Sequence, residues 1–241
     1  METIDTLYNE ALKLIQSEAG YRFSLDPVLL ADFVILSGDE TVLDLGTGCG
    51  VLPLLLARRS PGVQVVGWER QPQMAERARR GVDLSGMAGR ITIVEADLRY
   101  HRTLVPAGSF DLVVSNPPYR AVGSGRIALE DERAAARHEL AGGLNDFLNA
   151  GGWCLKHGGR FAIVYLAERL SELLGGMAAA GLEPKRLRMV HPRQGESARL
   201  VLVEGRKGGN SGLAVAPPLY IYKRNGKNRD YTDEILRIYA E

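Results

Sequence analysis

Thr-Val-Leu-Asp-Leu-Gly-Thr-Gly-Cys-Gly, at residues 41–50, is a short apolar run that ends in a glycine-rich loop. The residues that follow, 51–59, have the apolar content and the length of a helix. Glycine lets the backbone turn tightly and lets a ligand approach it closely. A strand, a glycine loop and a helix in this order predict the first unit of a nucleotide-binding α/β sheet.

The glycine loop differs from two common phosphate-binding patterns. No Gly-Lys-Ser/Thr follows it, which excludes a Walker-type loop. Val51 stands where the dinucleotide pattern G-x-G-x-x-G would need a glycine. The loop is therefore not a Walker phosphate loop, and it departs from the dinucleotide pattern.

Apolar runs and helical segments alternate after this unit. Near-continuous apolar runs are typical of parallel strands that are covered on both faces, and alternation with helices implies right-handed crossovers. Two late runs, joined by Pro-Arg-Gln-Gly at residues 192–195, predict an antiparallel hairpin. The predicted fold class is α/β, a Rossmann-like, doubly wound and mostly parallel seven-stranded sheet with a C-terminal antiparallel hairpin. The predicted strands are 41–45, 64–68, 91–94, 110–115, 160–166, 185–191 and 198–204, and a further short strand is expected at 219–222. The predicted helices are 51–59, 72–84, 144–155, 167–180 and 231–239.

Residues 1–40 precede the sheet. Leu7, Ala11, Leu14 and Ile15 recur at helical spacing and predict a first helix. A second helix is expected from Asp26 or Pro27 to residue 36, with Asp26 as its N-cap. We therefore expect an N-terminal helical segment at 1–40 that covers the ligand site, followed by one catalytic domain at 41–241.

Composition restricts the class of protein. Lysine and arginine number 30 against 29 acidic residues, so the chain is not a globally basic nucleic-acid binder. The 2 cysteines have no metal-ligand spacing. The first ten residues do not read as a signal peptide, and no apolar run reaches the roughly 18 residues of a membrane span. We expect a cytoplasmic monomer or weak homodimer with no membrane segment and no metal.

Three acids fall at the ends of successive predicted strands. Asp44 precedes the glycine loop, Glu69 ends the second strand, and Asp97 follows the third. A carboxylate at the position of Glu69 can accept hydrogen bonds from ribose hydroxyls, and one at Asp97 from an adenine amino group. Either acid could instead be a helix cap. The shared position of the three acids favours a ligand site.

Asn116, Pro117, Pro118 and Tyr119 follow the fourth strand and are the predicted catalytic residues. The two prolines hold an extended backbone at the edge of the sheet. An amino group conjugated to a ring or a carbonyl is a poor nucleophile, because its lone pair is delocalised. The Asn116 side chain and the Pro117 carbonyl can accept its two hydrogens, and the Tyr119 ring can stack on a flat acceptor. The motif predicts transfer to a planar, amide-like nitrogen.

With these motifs in place, the sequence resembles class I methyltransferases of the N-methylating branch, with an Asn-Pro-Pro-Tyr motif. Residues 23–31 and 137–160 extend the resemblance to the bacterial tRNA(Val) adenine-N6 methyltransferases. The resemblance implies S-adenosyl-L-methionine as cofactor, with S-adenosyl-L-homocysteine as product, and an N-terminal segment that closes over it. The implied cofactor-binding residues are Asp44, Gly46, Thr47, Gly48, Gly50, Glu69, Arg70, Asp97, Leu98, Asn116, Phe23 and Leu29.

The same resemblance implies an RNA partner, with tRNA as the expected substrate. The candidate substrate contacts are Arg120, Arg126, Arg137 and Arg193. Six cations of the C-terminal hairpin and the loop after it could form a phosphate-contacting face or be ordinary solvated charge: Lys185, Arg186, Arg188, Arg193, Arg206 and Lys207. Residues 120–135 are rich in glycine and arginine, and we expect them to order on substrate binding.

Other acceptors remain open at this stage. A protein glutamine has an equally delocalised amide nitrogen, so a release-factor type of glutamine-N5 methyltransferase is the first alternative. Methylation of DNA or rRNA is another, and a cofactor-binding protein without catalysis is a third. The short segment before the glycine loop argues against the first, and the intact Asn-Pro-Pro-Tyr motif argues against the last.

Overall fold

The computed structural model describes residues 1–8, 11–17, 24–118, 143–224 and 230–240. These residues form a two-stranded hairpin and a nine-stranded main sheet with helices on both faces. The hairpin consists of β1 (Glu2–Leu7) and β2 (Leu12–Ser17). The strands of the main sheet are β3 (Thr41–Leu45), β4 (Gln64–Glu69), β5 (Ile91–Glu95), β6 (Phe110–Ser115), β7 (Leu155–Leu166), β8 (Leu182–His191), β9 (Leu200–Lys207), β10 (Ala214–Val215) and β11 (Leu219–Tyr220).

The helices between these strands cover the sheet. Two short 3-10 turns, Leu98–Tyr100 and Ala167–Arg169, each lead directly into a helix. The helices are α1 (Asp26–Phe33), α2 (Val51–Arg59), α3 (Pro72–Leu84), α4 (His101–Leu104), α5 (Leu144–Cys154), α6 (Leu170–Ala179) and α7 (Asp233–Ala240). Three predicted helices start and end within one residue of these bounds, 51–59, 72–84 and 144–155, because proline, glycine and apolar spacing mark their ends locally.

The strand order is β10-β8-β9-β7-β6-β3-β4-β5, with β11 also beside β8. The strands from β3 to β7 all pair in parallel. The order reverses at β3, which lies between β4 and β6, so a crevice opens where the strands end. We call this side the carboxyl edge. The doubly wound α/β prediction is confirmed.

Two apolar layers lie on the two faces of the sheet. Val42 belongs to the layer under α1, α2 and α3, and its neighbour Leu43 belongs to the layer under α5 and α6. This alternation buries consecutive residues of the same strand, which explains why the strands are apolar without interruption.

The C-terminal hairpin is confirmed, because β8 pairs with β9 in antiparallel register. The strand count of seven is wrong. The two-residue strands β10 and β11 both pair in parallel with β8, one after the other along it. Strands this short contain too few residues for a periodic pattern, so their pairing is decided by the neighbouring strand.

The helix predicted for the first part of the N-terminal segment is wrong, because residues 2–7 and 12–17 form the paired strands β1 and β2. Tyr8 has a positive φ of 54°, which interrupts any helix there. Leu12 and Leu14 are buried on one side of β2, which packs on α3. Ser85 Oγ at the end of α3 accepts a 2.9 Å hydrogen bond from the backbone N–H of Lys13.

The second predicted helix is present as α1, but it ends at Phe33 and its N-cap is Leu25. Asp26 lies in the first turn of the helix, so the N-cap prediction is wrong by one residue. Among the residues that the structure describes, no helix is long and apolar enough to cross a membrane.

Candidate active site

The glycine loop follows β3 at the carboxyl edge and is held by the adjacent strand. The backbone N–H groups of Gly46 and Thr47 both donate to the Trp68 carbonyl of β4, each at 2.9 Å. The loop then turns directly into α2. The first helical turn of α2 therefore faces the crevice, as the sequence pattern predicted.

Glycine is required at two positions around this loop. Gly50 starts α2 with a φ of 82°, and a Cβ atom there would lie 3.3 Å from the Ala78 Cβ atom. Gly67 lies in β4 beneath the loop, and a Cβ atom there would lie only 2.8 Å from Thr47 Oγ1. Side chains at these positions would push the loop out of the crevice.

Asp44 lies at the end of β3, with 2% of its surface exposed. Burial raises the pKa of its carboxyl to about 7, and the neighbouring Thr47 hydroxyl opposes this rise. The negative charge of Glu69 adds to the rise. Thr47 Oγ1 is itself buried beneath the loop, where it faces Asp44 and Gly67.

Glu69 ends β4 and joins the glycine loop to α3. One oxygen, Oε2, accepts a 2.9 Å hydrogen bond from the N–H of Gly48, and Oε1 accepts one of 2.8 Å from Gln71. Burial raises the pKa of Glu69, while these backbone donors act against the rise. The backbone N–H of Arg70 also donates to this carboxylate, which has four lone pairs, so one remains for a further donor such as a hydroxyl.

Asp97 follows β5 and is bound by a residue that the sequence reading did not single out. Its carboxylate receives the Arg99 backbone N–H at 3.0 Å and the Arg99 Nε at 2.9 Å, and Arg70 Nη1 lies 3.9 Å away. The side-chain bond from Arg99 is the main reason why the pKa of Asp97 is lowered. Asp97 is also the N-cap of the turn Leu98–Tyr100, which is the capping role predicted as the alternative to ligand binding. The sequence feature that could have identified Arg99 is a cation two residues after an acid at a strand end.

Asn116 lies at the end of β6, half-buried, directly beside the glycine loop. The preceding Ser115 is paired with Leu45, and its hydroxyl donates a 2.9 Å hydrogen bond to the Leu45 carbonyl. Pro117 is buried and Pro118 is half-buried. The ends of β3 and β6 are thus tied together, which brings Asn116 next to Gly46.

The remaining predicted residues are placed as follows. Leu98 is 6% exposed and packs in the layer under α5, and Leu29 of α1 is completely buried in the opposite layer. The structure thus places Leu29 in the core and not on an open surface. Phe23, Tyr119, Arg120, Arg126, Arg137 and the segment 120–135 lie outside the described residues.

Five of the six cations of the C-terminal hairpin and its following loop bind acceptors of the protein itself, so they do not form an open phosphate-contacting face. Lys185 Nζ donates to the Asn210 carbonyl at 2.9 Å, and Lys207 Nζ donates to Leu155 at 2.7 Å. The three arginines in this group donate to the carbonyls of Phe33, Pro217 and Gly158. Arg193, at the carboxyl edge, is the sixth and is considered below.

The arrangement suits an organic ligand that carries hydroxyl and amino groups. Among the residues that the structure describes, no three His, Cys, Asp or Glu side chains are grouped as metal ligands would be. The crevice contains a glycine loop and, beside it, the Glu69 carboxylate. Residues of these types can bind a nucleoside with hydroxyl and amino donors.

Comparison with known proteins extends these observations. The model of the family described as "Methyltransferase small domain" matches residues 27–174. A tRNA1(Val) (adenine(37)-N6)-methyltransferase of Porphyromonas gingivalis strain W83 is 34% identical over 200 residues, which are 79% of this chain and 76% of that protein. A protein of the same name from Tolumonas auensis is 28% identical over 189 residues, which are 78% and 77% of the two chains.

Solved structures share the fold. A predicted O-methyltransferase of Agrobacterium tumefaciens has a TM-score of 0.73 at 24% identity, covering 89% of this chain and 95% of its own. The 16S rRNA N2 G1207 methyltransferase of T. thermophilus, solved with AdoMet and guanosine, has a TM-score of 0.58 at 19% identity. That match covers 86% of this chain and 50% of the other. At these identities the likeness establishes a Rossmann-like α/β fold and no more.

Proposed function

This chain belongs to the methyltransferase small domain family, and we propose that its acceptor is the exocyclic N6 amine of an adenine in tRNA. The family model matches more than half of the chain, including the glycine loop and Asn116. The chain is an S-adenosyl-L-methionine-dependent methyltransferase, as its sequence predicted. The choice of acceptor depends on one observation, the similarity over more than three quarters of the chain to relatives named as tRNA1(Val) (adenine(37)-N6)-methyltransferases.

The residues of the crevice fit this cofactor. The Glu69 carboxylate has a lone pair left for a hydroxyl donor, and Asp97 has an ionised carboxylate at the next strand end. When bound, S-adenosyl-L-methionine supplies an electrophilic methyl group on a sulfonium centre. Catalysis then depends on holding the acceptor nitrogen in line with that methyl group and on excluding water.

Asn116 is the residue that we assign to the acceptor nitrogen. Its side-chain carbonyl and the Pro117 carbonyl can accept the two hydrogens of the amine, which draws the lone pair out of the plane of the ring. The bound cofactor would supply the methyl group, and the methylated nitrogen would release one proton to solvent. No strong base is needed for this step, because the nitrogen becomes acidic once it carries the methyl group.

The acceptor adenine must be unpaired for this geometry. In a duplex the N6 amine is hydrogen-bonded to the opposite base, so an enzyme of this type acts on a single-stranded or flipped nucleotide. The relatives' names give adenine 37 of tRNA1(Val) as the acceptor. We take this nucleotide as the substrate to be tested.

Protein glutamine methylation is the second candidate function. An amide nitrogen meets the same two acceptors at Asn116 and Pro117, so the site chemistry alone permits it. No curated relative described above is named for a protein substrate. The tRNA reading is therefore the better supported of the two.

The decisive experiment compares three acceptors with the purified chain and S-adenosyl-L-methionine that is radiolabelled in the methyl group. A tRNA1(Val) transcript should accept the label, and a transcript with guanine in place of adenine 37 should not. A release factor should remain unlabelled. Label on the release factor and not on the tRNA would replace the proposed function with the second candidate.

Asn116→Ala tests the catalytic role directly. Loss of one preorganised polar contact to the reacting group typically costs about 10²–10³ in kcat, and we expect a loss of this size. Asn210→Ala, which removes an exposed amide in the loop before β10, is the matched control and should retain full turnover. Cofactor binding, measured by calorimetry, should persist in both variants. Turnover close to wild type in Asn116→Ala would refute the assigned role.

A further inference from the structure

The far end of the C-terminal hairpin reaches the same edge of the sheet as Asn116. β7 pairs in parallel with β6, and β8 runs in the same direction as β7 because β9 pairs antiparallel with both. The carboxyl end of β8 and the amino end of β9 therefore lie at the carboxyl edge. The loop between them, residues 192–199, continues the rim of the crevice.

Arg199 is tied into this rim by its backbone. Its carbonyl accepts a 3.0 Å hydrogen bond from Ala167 at the end of β7, and its N–H donates to Val190 of β8 at 2.9 Å. Neighbouring strands lie about 4.8 Å apart, so β9 lies about 10 Å and β8 about 15 Å from β6. These are distances that the nucleotides beside a bound adenine can span.

Arginine and tyrosine side chains lie at this rim. Arg199 is exposed and forms no ion pair with a carboxylate in the part of the chain that the structure describes. The Arg193 guanidinium lies 5.1 Å from the centre of the Tyr222 ring, and it contacts the exposed Glu196 carboxylate at 3.4 Å. Tyr222 in turn stacks on Tyr231 with the ring centres 5.5 Å apart and the planes 7° apart.

These features differ from those of the other hairpin cations. Lys185, Arg206 and their neighbours lie along the strands and donate to carbonyls within the protein. Arg193 and Arg199 lie instead at the end of the hairpin, and Arg193 lies over the Tyr222 ring, which is stacked on Tyr231. Cations next to aromatic faces are the combination with which proteins hold single-stranded nucleic acid, through phosphate contacts and base stacking.

We propose that Arg193, Arg199 and Tyr222, which we call the hairpin rim, bind the single-stranded RNA that flanks the acceptor adenine. This inference rests on the proposed function and adds a location and a chemistry for substrate binding. The two arginines contact phosphates, and the Tyr222 ring, which is stacked on Tyr231, holds the Arg193 guanidinium in place. The rim thus sets affinity for RNA, and the Asn116 site sets the chemistry.

The test uses the full chain, a tRNA1(Val) transcript and three variants. Arg193→Ala combined with Arg199→Ala removes the charges, Tyr222→Ala removes the ring, and Tyr222→Phe keeps the stacking face. Lys185→Ala is the matched control, since it removes a cation from the same hairpin about 20 Å from the end of β8. Unfolding midpoints of all variants show whether each remains folded.

We expect the double arginine variant to raise the KM for the transcript about ten-fold, with kcat and cofactor affinity within about two-fold of wild type. The slope of log affinity against log salt should become shallower by about one for each arginine removed. Tyr222→Ala should raise KM by about ten-fold, and Tyr222→Phe should restore it. Lys185→Ala should match wild type in all of these.

The outcomes separate the two proposals. If wild type methylates the transcript and the rim variants keep its KM and its salt slope, the rim inference is overturned and the proposed function stands. If the variants lower kcat alone, the rim is also refuted as a binding surface. If wild type neither binds nor methylates the transcript, the proposed function fails and the rim inference fails with it.

Discussion

Asp44 gives the most specific prediction, because burial disfavours the charged form of its carboxyl. Its carboxyl is 2% exposed, and burial raises its pKa from 3.8 to about 7. At about 1.4 kcal/mol for each pKa unit, this shift corresponds to about 4 kcal/mol of stability as an upper bound. Asp44→Asn removes the titration and keeps the shape of the side chain.

The sign follows from proton linkage. Below pH 3.8 the carboxyl is protonated in both the folded and the unfolded chain. Between pH 3.8 and about 7 the folded chain keeps a proton that the unfolded chain has lost, so the stability that this group contributes is lost as pH rises. Above about pH 7 the loss is complete and the contribution becomes flat.

Urea unfolding of the cofactor-free chain at several values between about pH 5 and pH 8 measures this slope. Wild type should lose stability across the window, and Asp44→Asn should lose about 2–3 kcal/mol less between its ends. The variant should consequently be the more stable protein at the alkaline end. Equal slopes in the two proteins would show that Asp44 is ionised throughout and would refute the reasoning.

Asp111→Asn is the control for this experiment. Burial alone would raise the pKa of Asp111, but the hydrogen bonds from Lys156 and Thr41 outweigh it and lower the pKa to about 2. The stability that Asp111 contributes is therefore present above pH 3.8 and lost only as pH falls toward 2. Its replacement should leave the slope between about pH 5 and pH 8 unchanged.

Two further substitutions test the frame of the crevice. Arg99→Ala frees the Asp97 carboxylate from its main partner, and calorimetry should show cofactor affinity weakened by about ten-fold. Arg99→Lys should be intermediate, because lysine keeps the charge and loses the two-pronged contact. An unchanged affinity would mean that Arg99 does not position Asp97. Gly67→Ala places a Cβ atom 2.8 Å from Thr47 Oγ1 and 2.9 Å from Ile93 Cδ1, so it should cost about 1–3 kcal/mol of stability in urea unfolding. Gly89→Ala, which has open space around it, is its control, and equal stability of the two variants would contradict the tight packing under the loop.

Much of the parallel half of the sheet could be predicted from local sequence. Strands 41–45 and 110–115 and helices 51–59 and 72–84 were predicted with the bounds that the structure has. Each of these elements is an apolar run or an amphipathic segment that ends at a proline, a glycine or a polar residue. Such signals are contained within a few neighbouring residues, so no tertiary information is needed to recognise them.

The N-terminal hairpin could not be predicted in this way. Leu7, Leu14 and Ile15 fit a helical spacing, while Leu12 and Leu14 fit a strand, and the sequence alone does not choose between the two patterns. The choice is made by α3, where Gly81 brings its backbone close to the Lys13 carbonyl and Ser85 bonds to Lys13. These contacts join residues about 70 positions apart, and only the folded chain brings them together.

Charge partners follow the same division. The sequence by itself determined that acids stand at successive strand ends and that an Asn-Pro-Pro-Tyr motif follows the fourth, because strand ends are local features. Only the tertiary structure decided that Arg99 holds Asp97, and that the hairpin cations bind carbonyls while Arg193 lies on Tyr222. Strand order and register set which distant groups meet, and a charged side chain will bind whichever acceptor or ring the fold places within its reach.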